Sequence, residues 1–175
     1  MYILKPLALL AIAAFAACAV SSLQAASNEA DAISAEDFVE EASAKGVAEI
    51  ETARLALEKA RSEDVKGFAQ MMIEDHQRAN QQLGELARSK ELEVSDDAEL
   101  MNQAKAMVLK LRGEESFDKA YMNNQVVAHR QTIELFRRGV NVDDAEIADF
   151  ARETLPKLEQ HLQHAEQING ALPDN

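Results

Sequence analysis

Val65-Lys66-Gly67-Phe68-Ala69-Gln70-Met71-Met72-Ile73-Glu74-Asp75-His76-Gln77-Arg78-Ala79-Asn80-Gln81-Gln82-Leu83 is the stretch that decides the fold. Its apolar residues at 65, 68, 69, 72, 79 and 83 recur at the spacing of one helix face turned toward a core. His76 stands on that face, four residues after Met72 and seven before Leu83. A titratable ring on a buried stripe asks for a polar partner in the interior.

The neighbouring stretches read the same way. Ser34-Ala35-Glu36-Asp37 has the form of a capping box, and predicts a helix from there to about residue 61. Its inward face is Phe38, Ala42, Gly46, Glu49, Ala53, Ala56 and Ala60, mostly small residues that admit a close neighbour. Ser62-Glu63-Asp64 is a break and a new N-cap, after which the second helix continues to about Ser89. Residues 90–115 are too long for a turn and suit a crossover. Within it Ser95-Asp96-Asp97 can cap a short helix over 98–111, with Gly113 ending it.

Ser116 caps the next predicted helix, 117–138. Met122, Val126, His129, Ile133, Phe136 and Val140 form a regular seam there, again with a histidine in the middle. Gly139 ends this helix and Asn141-Val142-Asp143-Asp144 turns the chain. The last helix, to about Asn169, carries Ile147, Ala151, Leu155, Leu158, Leu162 and Ala165, with His161 and His164 beside the stripe. Pro156 lies inside it, removes one backbone bond and predicts a kink. No stretch alternates as a strand does. The expected fold is all-α: a ferritin-like four-helix bundle, 34–170, with one long crossover carrying a short extra helix and a tail at 171–175.

The N-terminus reads as an address. Lys5 precedes an apolar run over 6–20 and the small-residue exit Ser21-Ser22-Leu23-Gln24-Ala25-Ala26, the order of a secretory signal peptide spanning 1–26. The run is short for a membrane span, which needs about 20 apolar residues. Residues 27–33 follow as a flexible leader. Phe15-Ala16-Ala17-Cys18 loosely resembles a lipobox, so an outer-membrane lipoprotein acylated at Cys18 is the alternative to a free periplasmic protein. Phe15, where leucine is usual, favours the periplasmic one.

No other cysteine is present, which excludes disulfides, zinc-thiolate sites, cysteine nucleophiles and covalent Cys-x-x-Cys-His haem in the folded part. Without Lys5 the mature chain carries 17 Lys+Arg against 31 Asp+Glu, a net charge of −14. Such a surface repels nucleic acid and anionic lipid, and leaves cations or a basic envelope-protein partner as expected company.

The chain resembles an exported bacterial family known as domain of unknown function 4142, placed among ferritin-like folds. The resemblance covers about 35–168. It rests on Phe38-Val39-x-x-Ala42 with Glu49, on Val65-Lys66-Gly67-Phe68-Ala69 with Asp75-His76, on Phe117-Asp118 with His129, and on Phe150-Ala151 with Leu155-Pro156 and His161. It implies a helical envelope-associated domain and no particular activity.

Di-iron bundles use a Glu-x-x-His pair on each of two helices. Here Ile73, Val126 and Leu158 stand three residues before His76, His129 and His161, so the ordinary di-iron site is absent. A different set survives. Glu49 lies 13 residues before Ser62, His76 lies 14 after it, and His129 lies 13 after Ser116. At ~1.5 Å per residue these three meet at one height, while His161, counted from Asp143, falls roughly 12 Å away.

Glu49, His76, His129 and, with a shifted register, His161 are the expected ligands of a divalent transition metal such as zinc, iron or copper. The methionines at core spacing read as filler. Asp96-Asp97 and Asp143-Asp144 lack calcium-loop spacing and read as caps. No nucleophile motif or phosphate-cradling loop occurs. The expected function is a non-enzymatic binding or stress-protective module of the cell envelope. The alternative is a metal-dependent redox or hydrolytic protein using the Glu/His site.

Overall fold

A computed structural model describes residues 32–92, 94 and 117–173. From Ile33 onward the described residues form one compact unit. Among the described residues it is all-helical: α1 (Ala35–Lys59), α2 (Glu63–Ser89), α3 (Phe117–Gly139) and α4 (Ala145–Ala171). The expected signal with Cys18, residues 27–31 of the leader, the short crossover helix with its caps, and Ser116 lie outside these residues. Ile33, expected at the end of a flexible leader, is instead buried in the core.

The helix starts follow from their first turns. Ser34 Oγ accepts the Asp37 backbone N–H at 3.0 Å, the cap its spacing predicts, while the Asp37 carboxylate takes the Ser34 hydroxyl at 2.7 Å rather than the backbone amide of a full capping box. Asp144 caps α4 by accepting from the N–H groups of Glu146 and Ile147. Ser62 differs from expectation: it holds the N-cap position of α2, but its hydroxyl makes no cap bond. Asp118 of α3 anchors the turn before it, accepting from the N–H of Arg61 at 3.0 Å and of Ser62 at 2.8 Å, donors that precede the helix rather than the first-turn amides a cap would serve. Gly139 is the last residue of α3 and has no left-handed backbone. It is needed for room, since a Cβ there would sit 2.3 Å from the Phe38 ring. At the other end of the chain, α4 runs unbroken through Pro156 and beyond Asn169 to Ala171.

Each of α1 and α4 packs beside both α2 and α3. Asp118 ties the start of α3 to the α1–α2 turn, and Lys90 at the end of α2 bonds Asp144 at the start of α4. The start of α3 is thus far from the end of α2, and the connection between them joins opposite ends of the bundle. That is the long crossover its length suggested.

The core comes in two apolar blocks. One gathers Phe38, Leu83, Phe136, Ile147 and Leu158, with the rings of Phe38 and Phe136 edge to face at 5.1 Å. The other gathers Ala53, Phe68, Met72, Tyr121, Met122 and Ala165. Between them every helix changes character. On α1 the interruption is Glu49, on α2 His76, on α3 Gln125 and His129, and on α4 His161, all buried. A polar layer crosses the interior between two greasy ones, and its members come one or two from each helix.

Candidate metal centre

Three of the four expected ligands converge. His76, His129 and His161 each offer a ring nitrogen, and these nitrogens lie within 4.8 Å of one another. The ring centroids are 5.5 to 5.8 Å apart, a nearly equilateral triangle. All three rings are buried.

His161 joins the layer, against the 12 Å offset expected from its distance to Asp143. The far end of α4 explains the difference. Lys119, in the first turn of α3, donates to the carbonyls of Asn169 and Leu172, 8 and 11 residues beyond His161. His129 lies 10 residues beyond Lys119, so the two histidines are level. Counting from the α3–α4 turn assumed that α4 begins level with the last residue of α3. It begins further along the axis, beside the end of α2.

Glu49 is buried at the same depth but does not join the close group. Its carboxylate accepts the Gln125 side-chain N–H at 2.7 Å. It acts on the centre through its charge, opposing the effect of burial on His76. His164 is exposed at the protein surface, its ring 5.5 Å from that of Phe68.

Two rings are held in one orientation by partners that can only accept. His129 Nδ1 is 2.9 Å from the Gln125 backbone carbonyl, so Nδ1–H donates and Nε2 carries the lone pair. His161 Nε2 is 3.0 Å from the Asp75 carboxylate, so Nε2–H donates and Nδ1 carries it. The nitrogens left over are then His129 Nε2 and His161 Nδ1. Both are buried without a hydrogen-bond partner, and so is His76 Nε2. Buried polar atoms are rarely left so, and each costs about 1–3 kcal/mol. Three such atoms, one from each ring of a triangle, are donors facing a shared centre.

The electrostatics favour lone pairs over protons. Burial pushes His76 down to about 4, with Glu49 working against it and the two neighbouring imidazoles with it. Burial likewise pushes His161 to about 4, partly opposed by its bond to Asp75. Asp75 itself would be raised by burial, but the His161 bond, Lys157 and Arg78 together hold it below the usual carboxylate value. Lys157 Nζ is 3.7 Å and Arg78 3.0 Å from its oxygens. At neutral pH the charged carboxylate thus receives a proton-bearing nitrogen from a neutral ring, the arrangement that orients histidine ligands in metal sites.

Sequence reasoning found the histidines and missed what orients them. Asp75 was visible as the neighbour of His76, at the edge of the helix stripe, three residues after Met72 and four before Ala79. Its use by a ring on α4 carries no signal in local spacing. Gln125 lies four residues before His129, on the same face, and that interval was the available clue.

The domain of unknown function 4142 matches the chain over residues 20–168. The chain belongs to that family. No curated protein matches it. A crystal structure of a DUF305 fragment from Deinococcus radiodurans is similar in fold, with a TM-score of 0.68 at 14% identity. The superposition covers 79% of this chain and 96% of that one. The likeness extends to the four-helix architecture. Among the described residues, no helix is long and apolar enough to cross a membrane.

Proposed function

We propose that this chain is an exported helical bundle whose polar layer binds one first-row transition-metal ion through His76, His129 and His161. The observation that carries the reading is the triangle of buried rings, each with one unpartnered nitrogen. Histidines kept for packing alone spend both nitrogens on protein carbonyls or carboxylates. Here one nitrogen of each ring has no protein partner.

The donor set suits the ion. Neutral imidazoles favour zinc, copper, nickel or iron over magnesium and calcium, and copper(II) and zinc stand highest in intrinsic affinity. In a tetrahedral site with metal–nitrogen bonds of ~2.0–2.1 Å, the nitrogens sit roughly 3.4 Å apart, so the rings close in by about an ångström on binding. Asp75 and the Gln125 carbonyl keep two rings in the ligating tautomer. The charges of Glu49 and Asp75 offset that of the ion in a medium where an isolated cation is costly. Export is supported by the order of the first 26 residues, and an acidic surface concentrates cations around the mature chain.

Elemental analysis after equilibration with zinc(II) or copper(II) and removal of excess tests the reading. One ion per chain is expected, reduced to none in His76→Ala and His129→Ala with helical content unchanged. An unmodified protein that remains empty at micromolar free metal overturns it.

A further inference from the structure

Beside the histidines lies a small cavity, and its lining narrows what it can receive. His76 and His161 form one wall, and Ala42, Gly46, Leu83 and Phe136 much of the rest. The centre of a water-sized molecule can move over about 30 Å³ there, far less than the ~300–1,000 Å³ of a pocket for a drug-sized ligand, so the space suits a small molecule.

Its polarity is equally restrictive. Its polar lining is already engaged: the Thr132 and Thr154 hydroxyls donate to the backbone carbonyls of Ala128 at 2.9 Å and Phe150 at 2.7 Å, the Asn80 amide donates to the Ser43 carbonyl at 3.5 Å, and Lys157 is paired with the Asp75 carboxylate at 3.7 Å. An anion entering the cavity would be desolvated with few donors to receive it, at a cost of several kcal/mol.

The way in points the same direction. A wider cleft of about 560 Å³ lies between α2 and α4 and shares Asp75, Ala79, Phe150, Thr154 and Lys157 with the inner cavity. Its remaining charged lining is Glu85, Glu146, Asp149 and Glu153 against Arg78. That rim admits uncharged molecules and cations and opposes small anions.

We infer that the cavity receives a small uncharged molecule, a diatomic gas in size and polarity, as the exogenous partner of the ion held by His76, His129 and His161. The inference rests on the metal-binding reading and deepens it. Three protein nitrogens leave a tetrahedral ion one position short, the pattern of sites that bind a further small molecule. Here the space beside two of the three ligands is small, mostly apolar in its lining, and shares residues with the outer cleft.

The test uses the full chain loaded with copper, reduced anaerobically to copper(I) and titrated with carbon monoxide, with the C–O stretch read in the infrared. One carbon monoxide per copper and a single narrow band are expected. Ala79→Leu, which fills the cavity from α2, should keep one copper per chain and weaken carbon monoxide binding at least tenfold. Pressurised xenon, which occupies small apolar cavities, should compete with carbon monoxide in the unmodified protein, so the test does not depend on the variant folding.

Failure to retain copper would sink the metal-binding reading itself. Copper bound with no carbon monoxide band, or with binding indifferent to both leucine and xenon, would overturn this inference alone. So would azide binding to the copper(II) form through the same cavity with carbon monoxide excluded, which would assign the space to an anion.

Discussion

At the scale of single residues, the centre depends on side chains that touch no ligand. Asp75 fixes the His161 ring and holds its proton on the outer nitrogen. Asp75→Asn keeps an acceptor and removes the charge, whereas Asp75→Ala removes both. Metal affinity should fall in that order, by ~10–100-fold at the far end, with chain fold and stoichiometry at saturation preserved. Competition with a chromophoric chelator measures this, and equal affinities in all three proteins would deny Asp75 a positioning role.

Burial also makes the metal-free protein acid-sensitive. His76 and His161 titrate near 6.5 when unfolded and near 4 when folded, so between those values the unfolded chain binds more protons. The stability present above pH 6.5 is therefore lost as pH falls from about 6.5 toward 4, on the order of a few kcal/mol at ~1.4 kcal/mol per unit. Urea midpoints with a chelator present, compared at pH 7.5 and pH 5, should drop. A flat profile would mean that the rings are solvated.

At the scale of elements, two contacts set how the helices meet. Asp118 accepts from the backbone N–H groups of Arg61 and Ser62 and so ties the α1–α2 turn to the start of α3. Asp118→Ala leaves two backbone N–H groups without their charged acceptor and should cost about 1.5–3 kcal/mol, read as a lower urea midpoint. Gly139 lets the Phe38 ring lie on the end of α3. A methyl group there meets a ring already packed against Phe136, so Gly139→Ala should cost roughly 1–3 kcal/mol. Gly67→Ala is the control, since a Cβ there meets nothing within 4 Å.

Helix existence and the buried face of each helix were legible from apolar spacing, because a 3.6-residue period is a local property. Ser62 shows the limit. Its spacing is that of an N-cap, yet its hydroxyl makes no cap bond, and its backbone N–H is held instead by a carboxylate 56 residues away in the sequence. The same holds for His161: its level depends on where α4 starts relative to its neighbours, which Lys119 and Lys90 fix through contacts between helices.

At the scale of the molecule, the bundle is two apolar blocks separated by a polar layer that each helix crosses once. A chain selected for stability alone has no reason to place three imidazoles and a carboxylate there, since hydrophobic residues of like volume pack as well or better. The layer carries a cost, and the proposed metal site would offset it through the same atoms that are left without a protein partner. Glu49, His76 and His129 could be placed in the layer from the sequence, whereas Gln125 and His161 could not. That Glu49 turns to Gln125 while the three rings face one another could not be read either, because side-chain direction within a layer is set by neighbours on three other helices.

X-ray absorption on the zinc- or copper(II)-loaded protein tests the centre most directly. A first shell of three nitrogen scatterers at ~2.0–2.1 Å with the outer-ring pattern of imidazole is expected, reduced in His161→Ala. A shell of oxygens only, a sulfur scatterer, or an unchanged spectrum in that variant would contradict the assignment.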